Sequence, residues 1–224
     1  MANTVTAIKQ QKRNPARVNI YLDGVYAFPL AKIVAAWLKV GQELPPEKID
    51  ELKGMDGIEA AYQKALNFLS YRPRSETEVE RNLRKHAVAE EVIVGVIERL
   101  RTAKLLDDSE FARTWVENRS AFRPRGSYAL RAELRQKGLS DEAIEQSLNG
   151  LPEGELAQQA ADRKARQLKD LDWPTFRNKL SAHLSRRGFG YVLVSEACQA
   201  AWQTLHQEDP QKIYEQRGRI KHGR

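Results

Sequence analysis

The segment Arg72-Pro-Arg-Ser-Glu-Thr-Glu-Val-Glu-Arg-Asn-Leu83 returns, loosely, as Arg123-Pro-Arg-Gly-Ser-Tyr-Ala-Leu-Arg-Ala-Glu-Leu134, 51 positions further along the chain. The offset holds beyond the quoted stretch: Val79 falls on Leu130, Leu83 on Leu134, Ile93 on Ile144 and Ile97 on Leu148. A fainter third copy follows about 50 residues later, with Leu180, Leu184, Val194 and Cys198 in the matching places. Self-similarity at a fixed period marks a repeat architecture, in which small units share cores with their neighbours and present one long surface. Such a surface suits a partner that is itself repetitive. The reading therefore points to a binding protein rather than a pocket enzyme.

Within each copy the apolar spacing is helical. Ala61, Ala65, Phe68 and Leu69 form one stripe, Val79 and Leu83 a second, and Val92, Ile93, Val96, Ile97 and Leu100 a third. Pro73 stops the first helix, and Ser75 with Glu78 forms a capping box that starts the next. Asp107 and Glu110 open a further helix in the same manner, with Phe111, Trp115 and Phe122 as its core face. Gly126 takes the capping position that Ser75 holds one repeat earlier, and Ser140 with Asp141 and Glu142 caps another helix. Three tandem three-helix repeats are expected, over residues 54–108, 109–152 and 153–206, in an elongated, curved array of mainly α structure.

The first 53 residues read differently. Thr4–Ile8, Arg17–Leu22 and Val25–Phe28 are short, β-branched or aromatic and roughly alternating, and Asp23-Gly24 is a two-residue turn favourable to a hairpin. After Pro29, Ile33, Trp37 and Leu38 suggest a helix ending at Gly41, and another helix begins near Glu47 after Pro45-Pro46. This predicts a small N-terminal β-hairpin module with one helix. Lys9, Lys12, Arg13 and Arg17 cluster on and between its first two strands, and are read as charge that protects an edge strand.

Hydrophobic residues make up 41% of the 224 and charged residues 30%, an ordinary balance for a water-exposed protein leaning to charge. No run approaches the ~18 apolar residues of a membrane span, and MANTVTAIKQQKR lacks the apolar core of a signal peptide. Cys198 is the only cysteine, which excludes a disulfide framework and a thiolate cluster for zinc. A cytoplasmic location is expected. The net charge of +7 divides unevenly: residues 1–53 carry 8 basic and 5 acidic side chains, 54–209 carry 24 of each, and the basic tail 210–224 carries 5 and 1. The helical body is thus neutral overall, and a basic surplus of this kind permits nucleic-acid contact without requiring it.

Leu69-Ser-Tyr-Arg-Pro-Arg-Ser75, Leu105-Leu-Asp-Asp-Ser-Glu-Phe-Ala-Arg113, Arg125-Gly126 followed by Glu133-Leu-Arg-Gln-Lys-Gly138, and Leu184-Ser-Arg-Arg-Gly-Phe189 together resemble the RecX family. The hairpin Asn19-Ile-Tyr-Leu-Asp-Gly-Val-Tyr-Ala-Phe28 resembles an extension found in some members. The resemblance covers about residues 4–205; Val79 stands where the family tends to have Leu, His86 lacks a following glycine, and residues 207–224 match nothing. It implies tandem three-helix units and a non-enzymatic regulator that binds the RecA recombinase filament on DNA. It further implies that the regulator usually restrains the filament's recombination, ATPase and coprotease activities, in DNA repair and the SOS response.

The candidate binding residues lie on each repeat's second helix and the turn before it. They are Arg72, Arg74, Arg81, Arg84 and Lys85 in the first repeat, and Arg123, Arg125, Arg131, Arg135 and Lys137 in the second. In the third they are Arg177, Lys179, Arg186 and Arg187. A guanidinium is a planar fork that pairs with carboxylate or phosphate, so such a ribbon could grip acidic lobes of a filament or the enclosed DNA backbone. The ordinary alternative for each is a solvated helix face held by local pairs such as Glu80 with Arg84. Neutrality of the body favours acidic protein groups over DNA phosphates as partners of the set.

Trp37, Trp115, Trp173 and Trp202 read as core residues, whereas Tyr71 and Phe122 flank the basic turns in matching register and offer stacking surfaces. The four histidines lack ligand spacing, so no metal or other cofactor is expected. No phosphate loop, GxGxxG or nucleophile–base motif is present. Two other functions compete. A sequence-specific DNA regulator could place a helix in the major groove, although the second helices are poor in the Asn and Gln that read adenine. A nucleic-acid-processing enzyme would need an acidic constellation that the sequence does not display. The chain is expected to be monomeric.

Overall fold

Asp23 and Gly24 both take positive φ, 49° and 83°, and join two strands with Leu22 directly opposite Val25. The computed structural model describes residues 2–207. Around this turn β1 (Asn3–Gln10), β2 (Arg17–Leu22), β3 (Val25–Ala31) and β4 (Glu43–Leu44) form an antiparallel sheet in the order β3-β2-β1-β4. The expected hairpin is thus extended to four strands. Its inner face of Val5, Val18, Ile20, Leu22, Phe28, Leu30 and Leu44 packs on Leu52.

The helix expected around Ile33–Leu38 is a single 3-10 turn, Val34–Trp37. Val34 and Ala35 enter the core, while Ile33 and Trp37 are 62% and 88% exposed, which corrects the core assignment of Trp37. The segment between β3 and β4 is too short to repay helix nucleation, so an apolar i, i+4 pair there does not mark a buried face. Arg17 is no edge guard either. β2 is an inner strand, and Arg17 reaches Asp56 of the first helix at 2.7 Å, while Asp56 accepts a 2.6 Å bond from the Ala31 amide.

That helix, α1, runs unbroken from Pro46 to Ser70. It merges the helix expected from Glu47 with the first helix of the first repeat, across the expected division between residues 53 and 54. Gly54 and Gly57 permit a break but do not impose one, because no proline lies between Glu47 and Ser70 and both glycines face open space. α2 (Glu76–Lys85) and α3 (Glu90–Thr102) complete the first repeat. Then follow α4 (Asp108–Phe122), α5 (Ser127–Gln136) and α6 (Asp141–Leu148), and α7 (Glu153–Ala165), α8 (Trp173–Arg186) and α9 (Tyr191–Gln207). The described residues thus hold nine α-helices after the sheet. The chain folds as two compact parts that meet at Leu106–Asp107.

The repeat register is reproduced in the cores. Val79, Leu83, Ile93 and Ile97; Leu130, Leu134, Ile144 and Leu148; and Leu180, Leu184, Val194 and Cys198 are all buried. Full burial of one such leucine contributes roughly 1.5–3 kcal/mol. All three second helices also end alike. Ala87, Gly138 and Gly188 take positive φ (56°, 86° and 84°), and the next amide bonds the carbonyl five residues back: Val88 to Leu83, Leu139 to Leu134 and Phe189 to Leu184. This is the Schellman termination, in which a left-handed residue lets two otherwise orphaned carbonyls be satisfied. His86 therefore needs no following glycine, because Ala87 accepts the strained conformation.

Trp173 and Trp202 pack against each other and Phe176 as expected, with Trp115 against Phe111. Phe122 does not join the α4 core face. It is the last residue of the helix and is 74% exposed.

A basic junction between the second and third repeats

Each second helix starts from an N-cap. In the first repeat Ser75 and Glu78 form the expected capping box, at 3.3 and 3.4 Å. In the second the cap is Gly126, which has no side chain to offer. Glu153, from α7 of the third repeat, supplies it instead, accepting 2.8 and 3.2 Å bonds from the Ser127 amide and hydroxyl. A side chain at 126 is sterically barred. Its Cβ would lie 2.2 Å from the Gly188 carbonyl oxygen, and one on Gly188 would lie 2.5 Å from the Ala129 Cβ. The two glycines let the start of α5 meet the end of α8, where the Gly126 amide bonds the Arg187 carbonyl at 3.0 Å.

This contact gathers cations from three elements. Arg187 donates from Nε to His183 Nε2 at 2.9 Å and from Nη1 to the Pro124 carbonyl at 3.1 Å. Arg163, near the end of α7, donates from Nη1 to the Phe122 carbonyl at 3.1 Å. Arg125 lies 2.7 Å from Glu133 Oε1 as an ion pair without hydrogen-bond geometry. Glu133 Oε2 is taken by Arg119 Nε and Trp115 Nε1, both at 2.8 Å. Burial first, then the charges of Arg125, Arg163 and Arg123, pushes the Arg187 guanidinium below its usual pKa. Burial, followed by Arg187, Lys164 and Arg186, holds His183 below the ordinary imidazole value, so its ring is neutral and accepts from Arg187. Among the described residues, Arg123, Arg163, Lys164, Arg186 and Arg187 have no carboxylate partner.

The other candidate cations are neutralised locally or stand apart. Arg72 bonds Glu78 at 2.9 and 3.2 Å, Arg74 stacks on Phe68, and Arg84 pairs with Glu80 and Glu90 at 3.3 and 2.6 Å. Arg131 pairs with Glu145 at 2.6 Å, Arg135 with Asp141 at 2.9 Å, and Lys137 sits over the Trp115 ring. Arg81, Lys85, Arg177 and Lys179 are exposed on α2 and α8. Of the fourteen residues read from sequence, the structure brings Arg123, Arg125 and Arg187 together, with Arg186 near His183. Arg163, Lys164, His183 and Glu153 were missed. Only the adjacent Arg163-Lys164 at a helix end could have signalled them.

Among the described residues no group of His, Cys, Asp and Glu could hold a metal ion, and no helix is long and apolar enough to cross a membrane.

Residues 3–45 match the RecX N-terminal domain, and residues 61–100, 107–148 and 153–198 match the first, second and third RecX three-helix domains. Regulatory protein RecX of Bacillus licheniformis is 36% identical over 200 residues, spanning 87% of this chain and 76% of the relative. That of Bacillus subtilis is 35% identical over 198 residues, 86% of this chain and 75% of the relative. A crystal structure of regulatory protein RecX superposes with a TM-score of 0.72 at 29% identity, covering 86% of this chain and 97% of that one. The crystal structure of RecX from Lactobacillus salivarius gives 0.59 at 27% identity, covering 66% and 97%. Four domains matched in order, with relatives above 30% identity across most of the chain, show that the protein belongs to the RecX family of regulatory proteins, which are not enzymes.

Proposed function

We propose that the chain binds the RecA recombinase filament on DNA in the cytoplasm and inhibits its recombination, ATPase and coprotease activities, acting as a monomer in DNA repair and the SOS response. The observation that carries the reading is the junction of the second and third repeats. There Arg123, Arg163 and Arg187 lie close together without carboxylate partners and Arg186 lies near His183, and burial, followed by these neighbouring positive charges, lowers the pKa values of Arg187 and His183. Crowded like charge of this kind is relieved when a polyanionic partner arrives. The ribbon cations that pair within their own repeats, Arg72, Arg84, Arg131 and Arg135, contribute solubility and helix stability more than contact.

The test is ATP hydrolysis by the recombinase on single-stranded DNA, titrated with this protein. Inhibition well below one copy per recombinase subunit is the expected result. Undiminished hydrolysis at equimolar protein would refute the proposal. The partnerless junction also favours a second reading, a helical regulator acting directly on nucleic acid. It predicts tight binding to DNA in the absence of the recombinase.

A further inference from the structure

We infer that a groove between the N-terminal module and α1 is a docking site for an acidic peptide segment of a partner protein, with Ile33 and Ala36 seating its apolar side chains and Lys32 and Lys64 pairing with its carboxylates. The groove, about 790 Å³, has the end of β3 and the 3-10 turn on one side and residues 59–67 of α1 on the other. Its volume falls within the roughly 300–1,000 Å³ of ligand-binding clefts. Residues i and i+3 eclipse in a 3-10 turn, so Ile33 and Ala36 face the groove together, and with Ala31 and Ala60 they give it an apolar lining. Ile33, Trp37 and Val40 are each more than half exposed, although they lie within eight residues of one another. Single exposed apolar residues carry no meaning, but a cluster with a polar rim marks an interaction surface.

The occupant's charge follows from which lining groups remain unpaired. Arg17 is held by Asp56 and Glu59 by Arg99, both at 2.7 Å. Lys32 and Lys64 are then the lining charges without a carboxylate partner among the described residues. Lys12 and Arg13, exposed in the β1–β2 connection next to the lining residue Asn14, add charge of the same sign. The acids of the sheet stand at its opposite end, where Asp23 bonds the Thr4 amide and Glu43 lies opposite Thr4 in register. The chain's own tail, residues 210–224, carries 5 basic side chains and 1 acidic, the wrong sign for this site. A phosphodiester backbone would leave the alanine-lined wall unused, whereas a peptide can set a carboxylate and an apolar side chain next to each other. Asn14, Gln63 and Asn67 add carboxamides, which both donate to and accept from a peptide backbone.

The site uses none of the residues of the basic junction and its test contains no recombinase, so this inference and the filament reading can each fail alone. The probe is a fluorescent peptide with a central Leu-Phe pair flanked by Glu and Asp, titrated with the full chain and read by anisotropy. An analogue with Gln and Asn in place of the acids is the comparison. The acidic peptide should bind and the analogue should lose most of that affinity, and amide shifts in NMR spectra should fall on residues 31–37 and 59–67. Lys32→Ala/Lys64→Ala should weaken the acidic peptide about threefold or more, the size expected of two exposed ion pairs. Ile33→Ser should weaken it roughly tenfold through lost apolar burial. All three side chains are exposed, so both variants should keep the parent's circular dichroism and melting. The control Lys85→Ala/Lys179→Ala removes two exposed lysines from α2 and α8 and should bind as the parent does. The inference is overturned if the acidic peptide fails to bind at about millimolar concentration, if its neutral analogue binds equally, or if the control loses as much as the groove variants. It is also overturned if Lys32→Ala/Lys64→Ala weakens an oligothymidylate and not the peptide, which would assign the groove to nucleic acid. A peptide-free dimer that Ile33→Ser dissolves would overturn it in favour of a second copy of the chain.

Discussion

Replacing Gly126 with Ala isolates the contact on which the junction depends. Gly126 has φ −77°, which alanine adopts freely, so the substitution introduces no backbone strain of its own. The added Cβ would stand 2.2 Å from the Gly188 oxygen, 2.5 Å from its carbonyl carbon and 2.7 Å from the Phe189 nitrogen. All three are backbone atoms, so no side chain can swing aside and α5 must move relative to α8. Overpacking of this kind costs about 1–3 kcal/mol, and stretching the Gly126–Arg187 bond adds about 0.5–1.5 kcal/mol. Lower chain entropy in the unfolded state offsets about 0.4–1 kcal/mol, leaving a net loss near 2–3 kcal/mol and a melting drop of roughly 5–15 °C. Far-UV circular dichroism melts measure this directly, with Gly95→Ala as the counterpart. Gly95 lies inside α3 with open space around it, so alanine there should stabilise by about 0.5–1 kcal/mol. A Gly126→Ala protein as stable as the parent would refute the close approach, and with it the means by which the cations are gathered.

Leu134→Ala should destabilise by about 2–5 kcal/mol in urea titrations, because the side chain is fully buried in the second-repeat core; a change under ~1 kcal/mol would mean the repeat register is wrong. Ala87→Gly should stabilise by about 0.5–1 kcal/mol, since it relieves a left-handed alanine at the α2 terminus and gives back part of that gain in unfolded-state entropy; a lower melting point would contradict the terminal geometry. His183, facing Arg187, Lys164 and Arg186, has its folded-state pKa depressed, so the unfolded chain takes up the proton more readily. Its contribution to stability is then fully present above about pH 6.5 and is lost as pH falls through the lower folded value. The parent should lose more stability between about pH 7.5 and 5.5 than His183→Gln, and an equal loss in both proteins would sink the assignment.

The three-helix repeats were legible in the sequence because their determinants are local or periodic. Val79, Leu83, Ile93 and Ile97 recur at a fixed offset, Ser75 and Glu78 cap a helix within four residues of each other, and Asp23-Gly24 sets its own turn. Such signals act over a few residues, and the chain carries them whatever surrounds it. The misreadings involve what surrounds the segment. Ile33 and Trp37 have helical spacing, yet β3 and β4 leave them only one 3-10 turn; Arg17 looked like an edge charge until strand order made β2 an inner strand. The division expected between residues 53 and 54 falls inside α1, because no proline interrupts the helix and Gly54 and Gly57 lie in open space. The junction lies furthest from sequence. Arg123 and Arg163 are 40 residues apart in the chain, Arg123 and Arg187 64, and only the approach of Gly126 to Gly188 makes them neighbours. Sequence supplied the number and kind of cations on each repeat. Tertiary packing decided which find a carboxylate and which are left facing one another, because ion pairing depends on distances of a few ångströms that chain separation does not encode.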